Sequence, residues 1–541
     1  MDSETSTLLE RLRRLNDIGV ALSAEGSTER LLERILESAK ELTNADGGTL
    51  YLRGDEDSLY FEIMLNESLG IRLGGTSGEA IGFDPLPLYD EAGRPNHTMV
   101  AAHAALEKVT VNIPDAYEVE AFDLSGTRAF DTKTGYRSKS FLTVPMVNHE
   151  GRVIGVLQLI NARSGGTVVP FSAEDQQLVE SLSSQAAVAL TNKRLIDAQR
   201  RLFEAFIELI AGAIDDKSPY TGGHCRRVPE LTMMLADAAS RAASGPLADF
   251  AMTEEDRYEL KIAGWLHDCG KVTTPEYVVD KSTKLETIHD RIHEVDARFE
   301  VLKRDAAIRM LQRVLAAQAR GEWVDHDAEQ AGLQTEMAAL QDDRDFLRTS
   351  NVGGEFMSDE DIERIRRIAR YRWKNAAGRE VNLLTEDELH NLCIRKGTLT
   401  EKERGIINHH IVATIKMLEA LPFPSYLKNV PEYAGGHHER MDGRGYPKGL
   451  TREQMSVQAR VMGIADIFEA LTARDRPYKP GMKLSRALEI LCCMREDHHI
   501  DPDIFEVFVR EGVYLDYARR FLEPEQIDEV DHDRLLGKAA P

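Results

Sequence analysis

The chain has 541 residues, too many for one ordinary hydrophobic core, so two or three domains are expected. Its formal charge of −24 excludes a nucleic-acid polymer as partner, because polymer binding needs a basic face that displaces counterions. A small anion held by a few local Arg and Lys residues stays compatible with that charge. Hydrophobic residues make up 42% and charged residues 29%, as in soluble globular proteins. No apolar run approaches the length of a membrane span, and the opening MDSETSTLLERLRR has no signal-peptide pattern. These features place the protein in the cytoplasm, with no membrane partner. Cys225, Cys269, Cys393, Cys492 and Cys493 form no paired framework, which fits a reducing compartment, and Cys492 and Cys493 read as buried small hydrophobes in a helix.

From Thr7 to Ala24, Leu8, Leu9, Leu12, Leu15, Ile18, Val20 and Leu22 recur at helical spacing, giving an N-terminal helix over residues 1–24. A second helix runs from Glu29 to Leu42. The period then changes: GGTLYLRG, SLYFEIML, KVTVNIP, SFLTVPMVN and RVIGVLQLIN are rich in β-branched and aromatic residues and separated by turn formers. Helix, sheet and a closing helix predict an α+β domain over residues 25–190. ADGGTLYL at Ala45–Leu52, FDTKTGYRSKSFLTVPM at Phe130–Met146 and GVLQLINA at Gly155–Ala162 resemble a GAF domain, a sensory fold that takes small ligands. Of the dispersed signature of cyclic-nucleotide-binding members, Asn161, Phe171 and Asp175 are present, while Ala162 and Gln176 replace the expected Lys and Glu. The resemblance thus implies an unidentified small ligand, a cyclic nucleotide or another, or a domain that only dimerises. A proline-free helical pattern follows over residues 174–214, with Leu178, Leu182, Leu190, Leu195, Leu202, Phe206 and Leu209 as its apolar stripe. Such a helix either connects two domains and pairs with its twin in a homodimer, or packs on its own domain.

Beyond about residue 200 helical periodicity dominates, predicting an all-α domain over residues 200–525 and a tail over 526–541. Metal-ligand residue types recur at five places in it: His224 in YTGGHCRRV, His267 and Asp268 in AGWLHDCGK, His410 in IINHHIVATI, His437 and His438 in HHERMDGRGYP, and Asp466 in VMGIADIFEAL. Asp466 is flanked by Ala, Ile and Phe, where an unpaired carboxylate would be costly to bury. A cation is the economical partner. These N and O donors, with no Cys-X-X-Cys pair, exclude a structural zinc site and suit two divalent ions with open positions. Two ions of this kind clamp the attacking and leaving oxygens of a phosphoryl displacement.

HDCGK, HHERMDGRGYP and IADIFEALTARDRPYK, in this order and preceded by HCRRV, resemble the HD-GYP branch of the HD-domain phosphohydrolases. The resemblance implies hydrolysis of cyclic di-GMP, or of cyclic GMP-AMP, with two metal ions, iron or manganese. By position it implies metal ligation by His224, His267, Asp268, His410, His437, His438 and Asp466, with Asp268 bridging the ions. It also places Lys271 on the scissile phosphate, and Tyr446, Arg476 and Lys479 on the dinucleotide. Tyr220 stands where some members carry a Glu for a third metal, so two are expected. The general acid is unassigned; Glu439 and Asp442 are near in sequence, and either could instead orient an imidazole. KGTLTEKE at Lys396–Glu403, which in the family closely follows the HD pair, here comes after a charged segment over residues 286–394 that reads as an inserted helical hairpin. His289 and His293 lie at i and i+4 within it, an alternative donor pair to His410. The insertion is a lid, a dimer arm or a docking site, and the GYP turn is a second candidate docking surface. The alternative readings of the whole are a dinucleotide receptor without turnover and a phosphohydrolase of another nucleotide.

Overall fold

The computed structural model describes residues 2–54, 56–90, 92–217, 223–354, 356–474 and 481–537. Arg476, Lys479 and Tyr220 lie outside the described residues. The chain divides into two compact units, Met1–Leu202 and Phe203–Pro541.

The first unit opens with α1 (Asp2–Ser23) and α2 (Thr28–Thr43). Ser27 caps α2 by accepting from Arg30 N, and Leu31, Leu32, Ile35, Leu36 and Ala39 form its buried stripe. The strands follow as β1 (Ala45–Arg53), β2 (Ser58–Asn66), β3 (Ile71–Gly74) and β4 (Leu86–Pro87). After α3 (Val100–Glu107) and β5 (Val111–Ile113) come α4 (Ser125–Thr134), β6 (Phe141–Val147), β7 (Val153–Ser164) and β8 (Thr167–Val169). They form one antiparallel sheet of order β3-β2-β1-β7-β6-β5, with β4 beside β2 and β8 beside β7. The central strands are buried on both faces, which explains their near-continuous apolar sequences. One face, through Leu50, Leu52, Leu157 and Leu159, packs on α2 and on Leu178 and Leu182 of α5 (Ala173–Lys217); the other, through Tyr51, Val153 and Val156, packs on Ala101 and Ala105 of α3. This is the expected α+β architecture.

The cyclic-nucleotide signature residues serve this fold. Asn161 Oδ1 accepts from the backbone N–H groups of Lys139 and Ser140, and its Nδ2 donates to the Tyr136 hydroxyl and the Arg137 carbonyl. Phe171 is a core residue, and Asp175 caps the start of α5 through Ser172. Along α5, Leu178, Leu182 and Leu190 are buried whereas Leu195, Leu202, Phe206 and Leu209 are exposed.

In the second unit α6 (His224–Ser240), α7 (Glu254–Leu266) and the short α8 (Glu276–Val279) precede an insertion. Within the insertion α9 (Ile292–Ala319) and α10 (His326–Asn351) pair as a hairpin, followed by α11 (Asp359–Ala369), strands β9 (Arg372–Lys374) and β10 (Glu380–Asn382), and α12 (Glu386–Leu392). It is more than the expected helical hairpin. Phe299, Leu302, Leu347, Ile365, Ile368 and Leu384 give it a hydrophobic core of its own, and an Asn375–Gly378 turn closes a two-stranded sheet inside an otherwise helical unit. Its ends meet: Lys281, before it, donates to Asn391 in its last helix and to Glu403 just after it, each at 2.8 Å. The long excursion therefore leaves and rejoins the bundle at one place.

The bundle resumes with α13 (Glu401–Asn408), α14 (His410–Glu419), α15 (Val430–Gly435), α16 (Val457–Thr472), α17 (Leu484–Glu496), α18 (Pro502–Arg510), α19 (Val513–Phe521) and α20 (His532–Leu535). Leu231, Leu260, Ile464, Phe468, Leu488, Phe505 and Tyr517 are among its core residues. Cys492 is only half-buried and Cys493 exposed, contrary to the reading as buried hydrophobes. The buried face of α17 is Leu484, Ala487, Leu488 and Leu491, and the helical turn rotates the next two residues outward. Among the described residues no helix is long and apolar enough to cross a membrane.

Candidate metal centre

Four pieces of chain deliver the histidines. His224 opens α6, His267 and Asp268 end α7 at a 3-10 turn (Cys269–Thr273), His410 opens α14, and His437 and His438 follow α15. Gly270 sets how closely the HD turn lies on α14: a Cβ there would sit 2.0 Å from the His410 carbonyl oxygen, and the Gly270 N–H donates to Thr414 Oγ1 at 2.9 Å. This contact, together with the closed ends of the insertion, brings His410 beside the HD pair despite the intervening chain.

Each buried imidazole is held by its Nδ1. Those of His267, His410 and His437 donate to the carbonyls three residues earlier, Gly264, Ile407 and Ala434, at 2.7, 2.6 and 2.7 Å. That of His224 donates to Glu469 Oε2 at 2.5 Å. Each Nε2 lone pair is thereby directed inward. His224 Nε2 lies 3.3 Å from both Asp268 Oδ2 and Asp466 Oδ1, and His267 Nε2 lies 3.3 Å from Asp268 Oδ2. On the other side of the same carboxylate, His410 Nε2 is 3.2 Å from Asp268 Oδ1 and 3.3 Å from His438 Nε2. His224, His267 and Asp268 thus form one group with metal-ligand spacing, and His410, His437 and His438 a second. Asp268 offers one oxygen to each.

Burial opposes charge on His224 and His267, yet neighbouring carboxylates outweigh it. Glu469, Asp268 and Asp466 raise His224 well above its ordinary range, and Asp268 and Asp466 raise His267 to about 9. Burial, aided by adjacent imidazoles, pushes His437 well below its ordinary value and His438 down to about 4. Burial also works against the carboxylates, but Lys271 and the imidazoles hold Asp268 well below the carboxylate range, and His224 and His267 do the same for Asp466. Carboxylates and the imidazoles they hold as cations gather at one end of the centre, and neutral imidazoles crowd the other.

The donor set fits divalent cations. Nε2 of His224, His267 and His437 and Oδ1 of Asp268 are buried without a hydrogen-bond partner, and Nε2 of His224 and of His267 each face a carboxylate oxygen at 3.3 Å. Such contacts need positive charge between them, supplied by protons on the imidazoles or by divalent ions in their place. His224, His267, Asp268 and Asp466 would hold one ion, and His410, His437, His438 and Asp268 the other.

Lys271 Nζ sits 2.5 Å from Asp268 Oδ2, at the edge of the donor set. Tyr446 stacks on the His438 ring, centroids 4.9 Å apart, and its backbone N–H donates to the His438 carbonyl. Beside them lies a cavity of about 430 Å³ whose lining includes His437, His438, Arg440, Arg444, Tyr446, Asp466 and His499. Glu439 accepts from the backbone N–H groups of Lys448 and Leu450, so it fastens the GYP turn, and Asp442 accepts from Arg444 N and pairs with Arg440. His289 is exposed and paired with Glu294, and His293 is exposed on the insertion. Sequence reasoning missed Glu469, which is 1% exposed and also accepts from Arg227 Nε at 2.7 Å. Its signal was an acid three residues after Asp466 within an apolar helix, on the same face.

Residues 27–190 match the GAF domain family, and residues 221–342 and 385–504 match two HD domain families. A cyclic di-GMP phosphodiesterase of Pseudomonas aeruginosa is 37% identical over 121 residues, 22% of this chain and 28% of that protein. A 3′3′-cGAMP-specific phosphodiesterase of Vibrio cholerae is 39% identical over 113 residues, 20% of this chain and 23% of that protein. A cyclic di-GMP phosphodiesterase response regulator of Xanthomonas campestris is 31% identical over 126 residues, 23% of this chain and 32% of that protein. The chain therefore matches under a third of the length of these relatives. The solved GAF domain of an Acinetobacter phosphoenolpyruvate-protein phosphotransferase aligns with 35% of this chain and 98% of that one, at 17% identity and a TM-score of 0.26.

Proposed function

The chain is a GAF and HD domain protein, and from that premise we propose that it is an HD-GYP phosphodiesterase that opens cyclic di-GMP to the linear dinucleotide or on to GMP. The observation that carries the reading is Asp268, which turns one carboxylate oxygen toward each of two imidazole groups. Divalent ions at such a donor set, iron or manganese in this reading, supply Lewis acidity toward a phosphoryl group and water that is nucleophilic near neutral pH. The chain's own residues do the rest. The carbonyls of Gly264, Ile407 and Ala434 and the Glu469 carboxylate fix the imidazoles before any ligand arrives, so little reorganisation is left to the reaction. Lys271 offers an ammonium to a phosphoryl oxygen, and the Arg440 and Arg444 guanidiniums at the cavity suit a dinucleotide with two phosphates. Hydrolysis joins the water oxygen to phosphorus, breaks one P–O bond to a ribose 3′ oxygen and leaves the proton on that oxygen.

The test is a product assay on the full chain loaded anaerobically with iron(II) or manganese(II), with cyclic di-GMP and cyclic GMP-AMP side by side. Linear product from cyclic di-GMP, lost when His267 and Asp268 are both changed to Ala, supports the reading. Binding without product under either metal favours a receptor, and product from cyclic GMP-AMP alone reassigns the substrate. A homodimer through α5 belongs to the same proposal, because Val188, Leu195, Leu202 and Leu209 are exposed and spaced by seven residues along one helix face. Light scattering on a Leu195→Glu, Leu202→Glu variant should report a monomer where the unaltered chain is dimeric.

A further inference from the structure

The first unit contains a cavity of about 460 Å³, within the range of small-molecule sites. Its floor is polar and buried. Tyr51 and Gln158 from neighbouring strands are joined there through the Tyr51 hydroxyl and Gln158 Oε1 at 3.1 Å, and Gln158 Nε2 continues to Thr143 Oγ1 at 3.1 Å. Its walls are aromatic: Phe61 and Phe83 lie 5.5 Å apart, with Phe130 and Tyr136 also lining the space. The Tyr136 ring is fixed, since its hydroxyl donates to Asp46 Oδ2 at 2.5 Å and accepts from Asn161 Nδ2 at 2.9 Å. Flat, fixed aromatic walls over a hydrogen-bonding floor select a planar ring with a polar edge.

The charges decide what that ring carries. None of the described lining residues is Lys, Arg or His, and the two charged ones, Asp84 and Asp123, are exposed acids. The start of α4 also lines the cavity, but Ser125 N already donates to Asp123 Oδ1 at 2.9 Å, so this helix end is met by the chain's own carboxylate. An anionic ligand would lose hydration and meet like charge. The signature residues of cyclic-nucleotide binders line no part of this cavity: Asn161 holds a loop, Phe171 sits in the core and Asp175 caps the start of α5.

We propose that this cavity binds a planar aromatic molecule without an anionic group, uncharged or cationic, and that cyclic nucleotides and carboxylates are excluded from it. The inference is independent of the chemistry in the second unit. Isothermal titration of the full chain with indole, tryptamine, indole-3-acetate and cyclic GMP tests it. The expected result is one-to-one binding of indole and tryptamine, with indole-3-acetate and cyclic GMP at least tenfold weaker. Phe130→Ala should weaken indole at least fivefold, and Asp84→Asn with Asp123→Asn should strengthen indole-3-acetate while leaving indole unchanged. The proposal is overturned if cyclic GMP or indole-3-acetate binds as tightly as indole, if indole binding survives Phe130→Ala, or if neither indole nor tryptamine binds at millimolar concentration.

Discussion

Changing Glu469 to Ala probes the centre without touching a donor. Glu469 is 1% exposed and holds the Nδ1–H of His224 at 2.5 Å. Its loss leaves that buried donor without its acceptor, at a cost of about 1–3 kcal/mol to the fold. It also frees the His224 ring to turn, so Nε2 no longer points at Asp268 and Asp466, each 3.3 Å away. Removing a group that orients a metal-binding histidine weakens metal affinity about 10–100-fold, equivalent to about 1.4–2.8 kcal/mol. Glu469→Gln keeps an acceptor oxygen for His224 while losing the charge, and should fall between the two. The assay is manganese(II) titration by calorimetry alongside thermal unfolding of metal-free protein. An E469A protein that folds and binds both ions as tightly as the unaltered chain would falsify the role given to this carboxylate, and a loss confined to the group that lacks His224 would contradict the geometry.

Three further outcomes follow from named contacts. Lys284, 2% exposed beside Met357 and the Leu392 carbonyl, has its pKa lowered by burial to about 8. The unfolded chain thus binds the extra proton up to a higher pH, so stability should rise by about 2–3 kcal/mol as pH climbs from about 8 toward 10.5, and Lys284→Met should flatten that rise in urea melts. Gly445→Ala would put a Cβ 2.4 Å from the backbone at Glu439 and Arg440, which cannot yield cheaply. Displacement of the GYP turn should show as lost cyclic dinucleotide affinity with the second unit still folded. Asp501 is fully buried, pairs with Arg452 and Arg460 and caps α18, so Asp501→Ala should lower stability by about 3–5 kcal/mol, read as a drop in the urea midpoint. Unchanged midpoints in that variant would count against any energetic role for the pair.

The amino-acid sequence by itself determined the two kinds of architecture and the donor types of the centre. Strand and helix periodicities are local, so α2, the central strands and the helical second unit were legible from pattern alone. Motif spacing did the same for the HD pair and the His-His pair. Which residues share a cavity was not legible, because that depends on contacts far apart in the chain. The meeting of Lys281 with Glu403, which closes the insertion and delivers His410, spans a long stretch of sequence, and so does the reach of Glu469 to His224. The extent of the insertion's core and the exposed position of Cys493 likewise depended on which helix face met a neighbour. Glu439 is the clearest case: its acidic type and place beside the histidines suggested proton transfer or imidazole orientation, yet the folded turn saturates it with backbone N–H groups. A side chain's type is fixed by sequence, but its partners are set by packing, and the partners decide its chemistry.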